Sequence, residues 1–364
     1  MIITSLRTTA FRNLANAVVS TAAKTVFLVG ENGQGKTNFL EALYFCAYGS
    51  SFRRMHDSEI AQNKAKNFSA EITVTNQNDV LIKFEAGKKT VFINGKKAED
   101  RKELLSVIPC IVFCHEDMEF VAGSPERQRW FFDQVLSLYD PVYLDDLRCY
   151  RRVLKSRNSV LRDHSLHKLN GNPETLLDAL DQQCVLYGIR LMKKRDSAAK
   201  LFSEIFAALY EEVSGIAGIN IQYLPSWKSY DEEDAADLLR KRRIADMAAG
   251  ISLSGPHRDR YLFALNGADF AGTASTGQRR LLALLLRVAQ ARRFSEMTGR
   301  NPILLLDDVL LEMDGEKRRR FIAALPDYDQ AFYTFLPEEP FQNYRGEDTL
   351  VYYVRDGRIE AEGQ

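Results

Sequence analysis

The sequence predicts an α/β fold in which a mixed sheet carries a phosphate-binding loop and a mainly α-helical domain is inserted into the chain. Three observations predict it. The run GENGQGKT fits a phosphate-binding loop over Gly30–Thr37, residues 124–212 are patterned almost throughout as helix, and a strand over 303–306 ends in two aspartates. We therefore expect three parts: a first nucleotide-binding part over 1–116, a helical arm over 117–295, and a second nucleotide-binding part over 296–364.

The composition is that of an ordinary globular chain of two or three domains, with 364 residues of which 45% are apolar. The net charge is zero, which neither requires nucleic acid as a partner nor excludes a local basic face. The five cysteines form no Cys-x-x-Cys pair, which favours a reducing, cytoplasmic location. No run has the length of a membrane helix, and the first residues lack the apolar core of a signal peptide, so we expect no membrane association.

The phosphate-binding loop has the flanks that it requires. Residues 25–29 are an apolar, β-rich run, and residues 38–45 carry apolar side chains at helical spacing. Glycines let the backbone N–H groups converge on phosphates, and the following helix adds the positive end of its dipole. Lys36 is expected to reach the β- and γ-phosphates, and Thr37 to ligate Mg²⁺. The loop residues expected to bind the nucleotide are Gly30, Glu31, Asn32, Gly33, Gln34, Gly35, Lys36, Thr37 and Asn38.

The remaining elements follow from periodicity and from turn signals. We expect the strands of the first 115 residues, at 1–20, 69–74, 80–84, 91–93 and 108–113, to form one mixed sheet with the loop. Helices then begin at Pro125, a residue suited to the first helical position, and are divided at Pro141 and at 171–173. Beyond them we expect strands at 216–225, 261–270 and 331–335, and helices at 231–249, 275–299 and 314–325.

The long helical stretch is basic. Residues 148–200 contain twelve lysines and arginines against five aspartates and glutamates. Such a run is commonly no more than a solvated helix face, but it also suits contact with the phosphate backbone of DNA, and the charge pattern leaves both interpretations open. The candidate DNA-contacting residues are Arg148, Arg151, Arg152, Lys155 and Arg157.

A second motif ends in two consecutive aspartates. The run PILLLDD over 302–308 predicts a buried strand beside the strand of the phosphate loop. Asp307 at its end is expected near Mg²⁺, and Asp308 is suited to orient or deprotonate an attacking water. A buried strand ending in aspartate is common, so the prediction depends on the phosphate loop in the same chain.

A third motif stands at the start of a long helix. Ser275-Thr276-Gly277-Gln278 offers a serine hydroxyl, a small residue and a helix N-terminus, which together suit an anion. The alternative is a plain helix cap, for which serine and threonine are ordinary residues. The motif is similar to the signature of ABC-type ATPases, and it falls between the phosphate loop and the paired aspartates, as in that class. The resemblance implies that Ser275, Gly277 and Gln278 close over ATP bound to a second copy of the chain, with Ser275 acting beside Lys36 and Asp308 in catalysis.

Longer runs resemble the RecF family of bacterial recombination and replication-repair proteins. They are FRNL (11–14), GENGQGKTNFLEALYF (30–45), SFR (51–53), GSPERQRWFFD (123–133), YRRVLKSRN (150–158), SGPHRD (254–259), STGQRR (275–280) and PILLLDDVLLEMD (302–314). The resemblance implies an ABC-type ATPase head with a helical insertion, ATP and Mg²⁺ as cofactors, and a homodimer that forms on ATP and hydrolyses it slowly. It adds Arg12 and Asn13 to the cofactor-binding residues and favours DNA contact by the basic helices.

The same resemblance implies partners. DNA would be bound at single-strand gaps and gap junctions, and RecR and RecO would act with the protein to load the recombinase RecA. Four positions depart from the family pattern: His115 stands where a proline is usual, Arg260 stands where an acidic residue is expected, Leu311 replaces a serine, and Thr334 stands where ABC proteins often have a histidine. Another ABC-type head is the alternative, but a transporter subunit lacks such a long insertion, and a Rad50-like head has long heptad repeats and a Cys-x-x-Cys hook.

Overall fold

The structure is a computed structural model, and it describes residues 1–53, 55–62, 65–75, 78–100, 102–165, 174–310 and 313–363. Leu311 and the helix break predicted at 171–173 lie outside the described residues. Two compact units emerge, one formed by Met1–Asp117 with Leu286–Gln364, and the other by Met118–Leu285. We refer to them as the head unit and the arm unit. The sequence places the two boundaries after residues 116 and 295.

The secondary structure of the described residues is as follows. The strands are β1 (Ile3–Thr9), β2 (Ala17–Ser20), β3 (Thr25–Val29), β4 (Phe68–Val74), β5 (Asn78–Glu85), β6 (Lys88–Ile93), β7 (Lys96–Lys97), β8 (Cys110–Phe113), β9 (Ile219–Leu224), β10 (Arg260–Leu265), β11 (Ala268–Asp269), β12 (Ile303–Leu306), β13 (Gln330–Phe335), β14 (Thr349–Arg355) and β15 (Arg358–Ala361). The helices are α1 (Lys36–Tyr48), α2 (Lys102–Val107), α3 (Glu119–Ala122), α4 (Pro125–Tyr139), α5 (Pro141–Ser165), α6 (Glu174–Ser214), α7 (Glu232–Ala249), α8 (Phe270–Thr273), α9 (Thr276–Thr298) and α10 (Gly315–Ala324).

The head unit contains two sheets rather than the single mixed sheet expected for its first 115 residues. Strands β1, β2 and β4–β7 pair antiparallel in one sheet, in the order β2-β1-β4-β5-β6-β7. The other sheet has the order β15-β14-β3-β13-β12-β8, and its five strands from β14 to β8 run parallel. The prediction was wrong because β3 and β8 take their partners from the last 65 residues of the chain, whereas the other early strands pair with one another through hairpins and the longer-range β1–β4 pair.

Burial patterns explain the two sheets. Strand β12, with the sequence ILLL, is buried at every position, as is typical of a parallel strand covered on both faces. In β4 buried and half-buried residues alternate, so only one face of the antiparallel sheet meets the core. Helix α1 contacts strands of both sheets, and ten of its thirteen residues are buried. The helix that follows the phosphate loop is therefore held firmly from both sides.

The arm unit is mainly helical, as predicted, with a three-stranded antiparallel sheet in the order β11-β10-β9. Helices α5 and α6 are antiparallel, since Arg157 late in α5 pairs with Asp181 early in α6 and Asp146 pairs with Arg190. Local signals define the helix ends. For example, the Asp231 carboxylate caps α7 by accepting from two backbone N–H groups, and Gly250 ends it at φ 68°. Among the described residues no helix combines the length and apolarity needed to cross a bilayer.

Candidate nucleotide-binding site

The phosphate loop of the head unit runs from the end of β3 into α1, as predicted. Gly33 and Gly35 have φ values of 79° and 120°, which glycine adopts without strain. A Cβ at Gly35 would also lie only 3.0 Å from the Asn13 side-chain oxygen, so the loop is tightly enclosed on that side. A cavity of about 220 Å³ opens over the loop and is lined by Glu31, Asn32, Gly33, Gly35, Lys36, Thr37, Asn38, Arg53 and Asp308.

Lys36 lies at the centre of this cradle. Its side chain is buried, and its Nζ donates to the backbone oxygens of Gly30 at 2.6 Å and Glu31 at 3.3 Å. Among the described residues no carboxylate lies within ion-pair distance of the ammonium. A buried positive charge held only by neutral carbonyls beside an open cavity is well placed to meet an anionic ligand.

The structure brings the two predicted metal ligands together. The Thr37 hydroxyl donates to Oδ1 of Asp307 at 2.9 Å, although the two residues are far apart in the chain. Burial, with the charge of neighbouring Asp308 as the second cause, raises the pKa of Asp307 to about 7. A hydroxyl and a carboxylate are hard oxygen ligands of the kind that Mg²⁺ takes, so these residues fit the expected cation. A bound cation would also favour the ionised form of Asp307.

One strand separates β12 from β3, so the prediction that the two are neighbours was wrong. The intervening strand is β13, which pairs with both. Thr334 of β13 consequently lies beside the paired aspartates: its hydroxyl accepts from the backbone N–H of Asp308 at 2.8 Å and lies 2.9 Å from Oδ1 of the same residue. Asp308 has a φ of 50°, which is uncommon for a residue other than glycine, and its carboxylate lines the cavity. Thr334 therefore fixes the backbone at the predicted water-activating residue.

Behind the loop a polar network centres on Glu41 of α1, which is fully buried. Arg12 donates to both carboxylate oxygens of Glu41, at 2.7 and 2.9 Å, and the Ser51 hydroxyl donates to it as well. Asn13 reaches the loop itself, donating to the backbone oxygens of Gly33 and Gln34 at 3.3 Å. Arg12 thus holds helix α1 and Asn13 holds the loop, both from outside the cavity, and direct contact of either residue with nucleotide stays a prediction.

Two residues of this region carried no role in the sequence-based hypothesis. Arg53 lines the cavity, donates to the Asn38 side-chain oxygen at 3.0 Å and lies 3.6 Å from the Glu41 carboxylate. Glu41 anchors the network but faces away from the cavity. The sequence contained a signal for this network, namely Glu41. A single carboxylate within an apolar helix is expected to have a cationic partner.

In the arm unit, Ser275 and Gln278 cap α9 reciprocally. The Ser275 backbone N–H donates to Oε1 of Gln278 at 2.8 Å, and the Gln278 N–H donates to Oγ of Ser275 at 3.3 Å. The motif is therefore a helix cap, as the alternative interpretation held. Ser275 and Gly277 are nevertheless exposed, and apart from the adjacent residues and the backbone of α9 no described heavy atom lies within 4 Å of where a Cβ of Gly277 would be. In the cap the serine hydroxyl accepts a hydrogen bond, and it donates to no group of the described residues, so the two interpretations are compatible.

The basic residues of α5 divide between two faces. Arg148, Arg151, Arg152 and Lys155 are exposed or partly exposed, although Arg151 donates to Asp133 at 3.1 Å and Arg148 lies 3.9 Å from Asp145. Arg157 is different: it is 1% exposed and is held by Asp181 at 2.6 Å and by Asp246 at 2.7 Å. The prediction that Arg157 contacts DNA was wrong, because its side chain is buried and its charge is neutralised by carboxylates inside the arm unit.

The parallel sheet, the loop entering α1, the paired aspartates after β12 and the inserted arm together define an ABC-type P-loop head. The comparisons with known proteins narrow this class. A model of the family described as RecF/RecN/SMC N terminal domain matches residues 2–358. The solved head domain of the Smc protein of Pyrococcus furiosus shares this fold, with a TM-score of 0.53 at 15% identity over 99% of this chain and 96% of that one.

The chain belongs to the RecF family of DNA replication and repair proteins. It is 44% identical to the DNA replication and repair protein RecF of Treponema pallidum, over 95% of this chain and 97% of that protein. It is 32% identical to the RecF of Lachnoclostridium phytofermentans, over 99% of both chains. A solved structure of the recombination mediator protein RecF with ATP, from the RecFOR pathway, matches with a TM-score of 0.91 and 27% identity over 99% of this chain and 97% of that chain.

Proposed function

We propose that this protein is an ATP-dependent DNA-binding recombination mediator whose two copies assemble around ATP. The observation that carries the proposal is the 2.9 Å contact between Thr37 and Asp307 beneath a cavity centred on Lys36. It joins the phosphate loop to the paired aspartates in one site. The related RecF structure with ATP and the RecF name of the relatives support the same ligand and process.

In this proposal the loop N–H groups and Lys36 bind the β- and γ-phosphates, while Thr37 and Asp307 hold Mg²⁺. The metal, when bound, neutralises charge on the phosphates. Asp308 accepts a proton from the attacking water, and Thr334 keeps that carboxylate in place. Hydrolysis is slow, so ATP acts as a timer for assembly and disassembly.

The signature residues act on the other copy. Ser275 stands exposed at the N-terminus of α9, with its O–H free to donate to a γ-phosphate that the second copy holds. ATP is then enclosed between the loop of one copy and the signature of the other, and it holds the dimer together. Cleavage of the γ-phosphate removes the shared contact and releases the dimer.

DNA is bound through the exposed basic face of α5, which comprises Arg148, Arg151, Arg152 and Lys155. Contacts of this kind are made with phosphates and carry no sequence preference, which suits a protein that recognises a DNA structure. The targets in this proposal are single-strand gaps and gap junctions. RecO and RecR act with the protein there to load RecA, in agreement with the RecFOR pathway named for the related structure.

Sedimentation velocity with ATP, with ADP and without nucleotide tests the proposal, each with and without a gapped duplex. We expect a monomer without nucleotide and with ADP, a dimer with ATP, and a faster-sedimenting complex when gapped duplex is added to the ATP sample. A sedimentation coefficient that is the same in all nucleotide states would contradict the proposed switch.

A further inference from the structure

The last hairpin of the head unit reaches the phosphate loop. Strands β14 and β15 are joined by Asp356 and Gly357, which have φ values of 46° and 76°. Such a two-residue turn with both φ positive matches the twist of an antiparallel pair. Strand β14 pairs with β3 on the side away from β13, so the hairpin turn lies at the end of the sheet from which the phosphate loop leaves.

Two consecutive residues of the turn donate to one residue of the loop. The backbone N–H of Asp356 donates to the Gln34 side-chain oxygen at 2.7 Å, and the backbone N–H of Gly357 donates to the Gln34 backbone oxygen at 2.8 Å. Gln34 lies between Gly33 and Gly35, the two loop residues with positive φ. The turn therefore holds the loop where its backbone has the greatest conformational freedom.

A further contact joins the turn to the segment that supports the loop. The Ala15 backbone N–H donates to the Gly357 oxygen at 2.9 Å, and the Asn13 side chain donates to the Gly33 and Gln34 oxygens. Loop, turn and segment thus form a closed set of hydrogen bonds made largely by backbone groups. A shift in the turn must displace the loop or break several of these bonds together.

The packing leaves no room for a side chain at Gly357 of the turn or at Gly30 of the loop. A Cβ at Gly357 would lie 1.8 Å from the backbone oxygen of Asn13, and a Cβ at Gly30 would lie 2.5 Å from the backbone oxygen of Val354 in β14. Both obstacles are backbone atoms, so no side-chain rotation relieves them. The hairpin approaches the loop as closely as glycine allows.

We propose that Gly357 is a positioning residue for the nucleotide, and that the turn between β14 and β15 sets the geometry of the phosphate loop through Gln34. This inference rests on the proposed binding of ATP at the loop. Phosphate is bound by backbone N–H groups whose directions are fixed by the loop, so a displacement of about 1 Å weakens several contacts together. The glycine acts on the ligand through the loop and does not touch it.

The chain offers a matched control for substitution at Gly357. The turn between β5 and β6 has nearly the same φ values, 49° at Ala86 and 75° at Gly87, but apart from the adjacent residues no described heavy atom lies within 4 Å of where a Cβ of Gly87 would be. Gly87→Ala introduces the backbone strain of a residue with positive φ without the collision. Comparing Gly357→Ala with Gly87→Ala therefore separates loop displacement from turn strain.

The experiment measures the affinity of a fluorescent ATP analogue with Mg²⁺ for the wild type, Gly357→Ala, Gly87→Ala and Lys36→Ala, together with the melting temperature of each. We expect wild-type affinity for Gly87→Ala and a loss of about tenfold or more for Gly357→Ala. Equal affinities for the two glycine variants would overturn the inference about the turn. Absence of binding by the wild type, or wild-type binding by Lys36→Ala, would instead overturn the nucleotide site itself and the inference with it.

If Gly357→Ala does not fold, hydrogen exchange of the wild type tests whether the turn positions the phosphate loop for the nucleotide. A ligand that needs the turn in place raises the free energy of opening it, so Mg²⁺ and ATP should slow amide exchange at residues 356–358. Exchange at the matched turn, residues 86–88, should not change. Equal exchange rates at 356–358 with and without ATP would overturn the inference, whereas a merely structural turn predicts that result.

Discussion

The phosphate cradle of the head unit and the helix core of the arm unit use charged residues in opposite ways. In the cradle, Lys36, Arg53 and Asp308 line a cavity, and Lys36 is held by backbone oxygens. In the arm, Arg157 and Arg195 are almost fully buried and each is paired with carboxylates of two other elements. A charged side chain is therefore available to a ligand where it faces open space, and it stabilises the fold where carboxylates from several elements surround it.

The arm pairs connect segments that are distant in sequence. Arg195 of α6 donates to Asp133 of α4 at 2.8 Å, to Asp259 at 2.9 Å and to the Pro256 backbone oxygen at 2.7 Å. The SGPHRD run, whose role the sequence did not reveal, is thereby fixed against α6. Breaking such a pair leaves an uncompensated buried charge, which is far more costly than removing an exposed one.

The largest effect is expected from Arg157→Met. Loss of the guanidinium leaves the buried Asp246 carboxylate without an ion pair among the described residues, while Asp181 keeps Arg243 at 2.6 Å, so the free energy of unfolding should fall by about 3–5 kcal/mol. Denaturant unfolding measures it. The control is Arg152→Met on the same helix, where the side chain is exposed and the change should stay within about 0.5 kcal/mol. If both variants are equally stable, the distinction between the two sets of charges fails.

Lys36→Ala should act on binding and not on the fold. We expect the affinity for ATP with Mg²⁺ to fall about 100-fold or more, because a buried charge-assisted contact to phosphate is lost. Isothermal titration calorimetry measures the affinity. Lys88→Ala, at an exposed position of β6, should bind as the wild type does. Retention of affinity in Lys36→Ala would show that the cavity is not the nucleotide site.

Neutralising exposed charges of α5 should weaken DNA binding without affecting stability. Arg152 and Lys155 are exposed, and no ion pair holds either one within the described residues. In the presence of ATP, the double variant Arg152→Ala, Lys155→Ala should bind gapped duplex roughly tenfold more weakly, and the slope of log affinity against log salt should fall by about 2. The matched control is Lys200→Ala, whose side chain pairs with Asp196 of its own helix. Unchanged affinity in the double variant would mean that this face is a solvated surface that does not contact DNA.

The smallest effect concerns pH. Burial lowers the pKa of His257 from 6.5 to about 4. The positive charges of Arg258, Arg129 and Arg157 contribute to the same shift. The neutral ring donates from Nε2 to the Ser252 oxygen at 3.0 Å and accepts at Nδ1 from the Tyr150 hydroxyl at 2.8 Å. Because the folded pKa is depressed, this contribution to stability is complete above pH 6.5 and is lost as the pH falls towards 4.

When the pH is lowered from 7.5 to 5.5, we therefore expect the titration of His257 to reduce the free energy of unfolding of the wild type by about 1 kcal/mol. His257→Asn cannot titrate, so its stability should depend less on pH over this interval by the same amount. Chemical denaturation of both proteins at the two pH values measures the difference. An identical pH dependence would mean that His257 binds a proton as readily in the folded protein as in the unfolded chain, which would contradict its lowered pKa.

Local patterns predicted the site well where neighbouring residues define it. The phosphate loop, its flanking strand and helix, the strand before Asp307 and the cap at Ser275 were all recognisable, because each depends on a few consecutive residues. The two aspartates were also assigned correctly to the neighbourhood of the loop. Parallel strands end at one edge of a sheet, so Thr37 and Asp307 could be expected to meet without knowledge of the strand order.

What could not be predicted depends on residues distant in the chain. The position of β13 between β3 and β12, and hence the contact of Thr334 with Asp308, follows from strand order, which a single sequence does not define. The bonds from the last hairpin to Gln34 span 322 residues. The separation of Arg157 from the exposed arginines could have been predicted from local sequence. Arg157 lies nine residues after Arg148, which is two and a half helical turns, so the two side chains lie on opposite faces of the helix.

If one nucleotide site needs two copies of the chain, two variants with complementary defects should restore it together. Lys36→Ala keeps an intact signature, and Ser275→Arg keeps an intact phosphate loop. We predict that with ATP each variant alone sediments as a monomer, while their equimolar mixture forms a dimer with one complete composite site. Monomers only in the mixture, together with a wild type that dimerises on ATP, would contradict a site shared between the loop of one copy and the signature of the other.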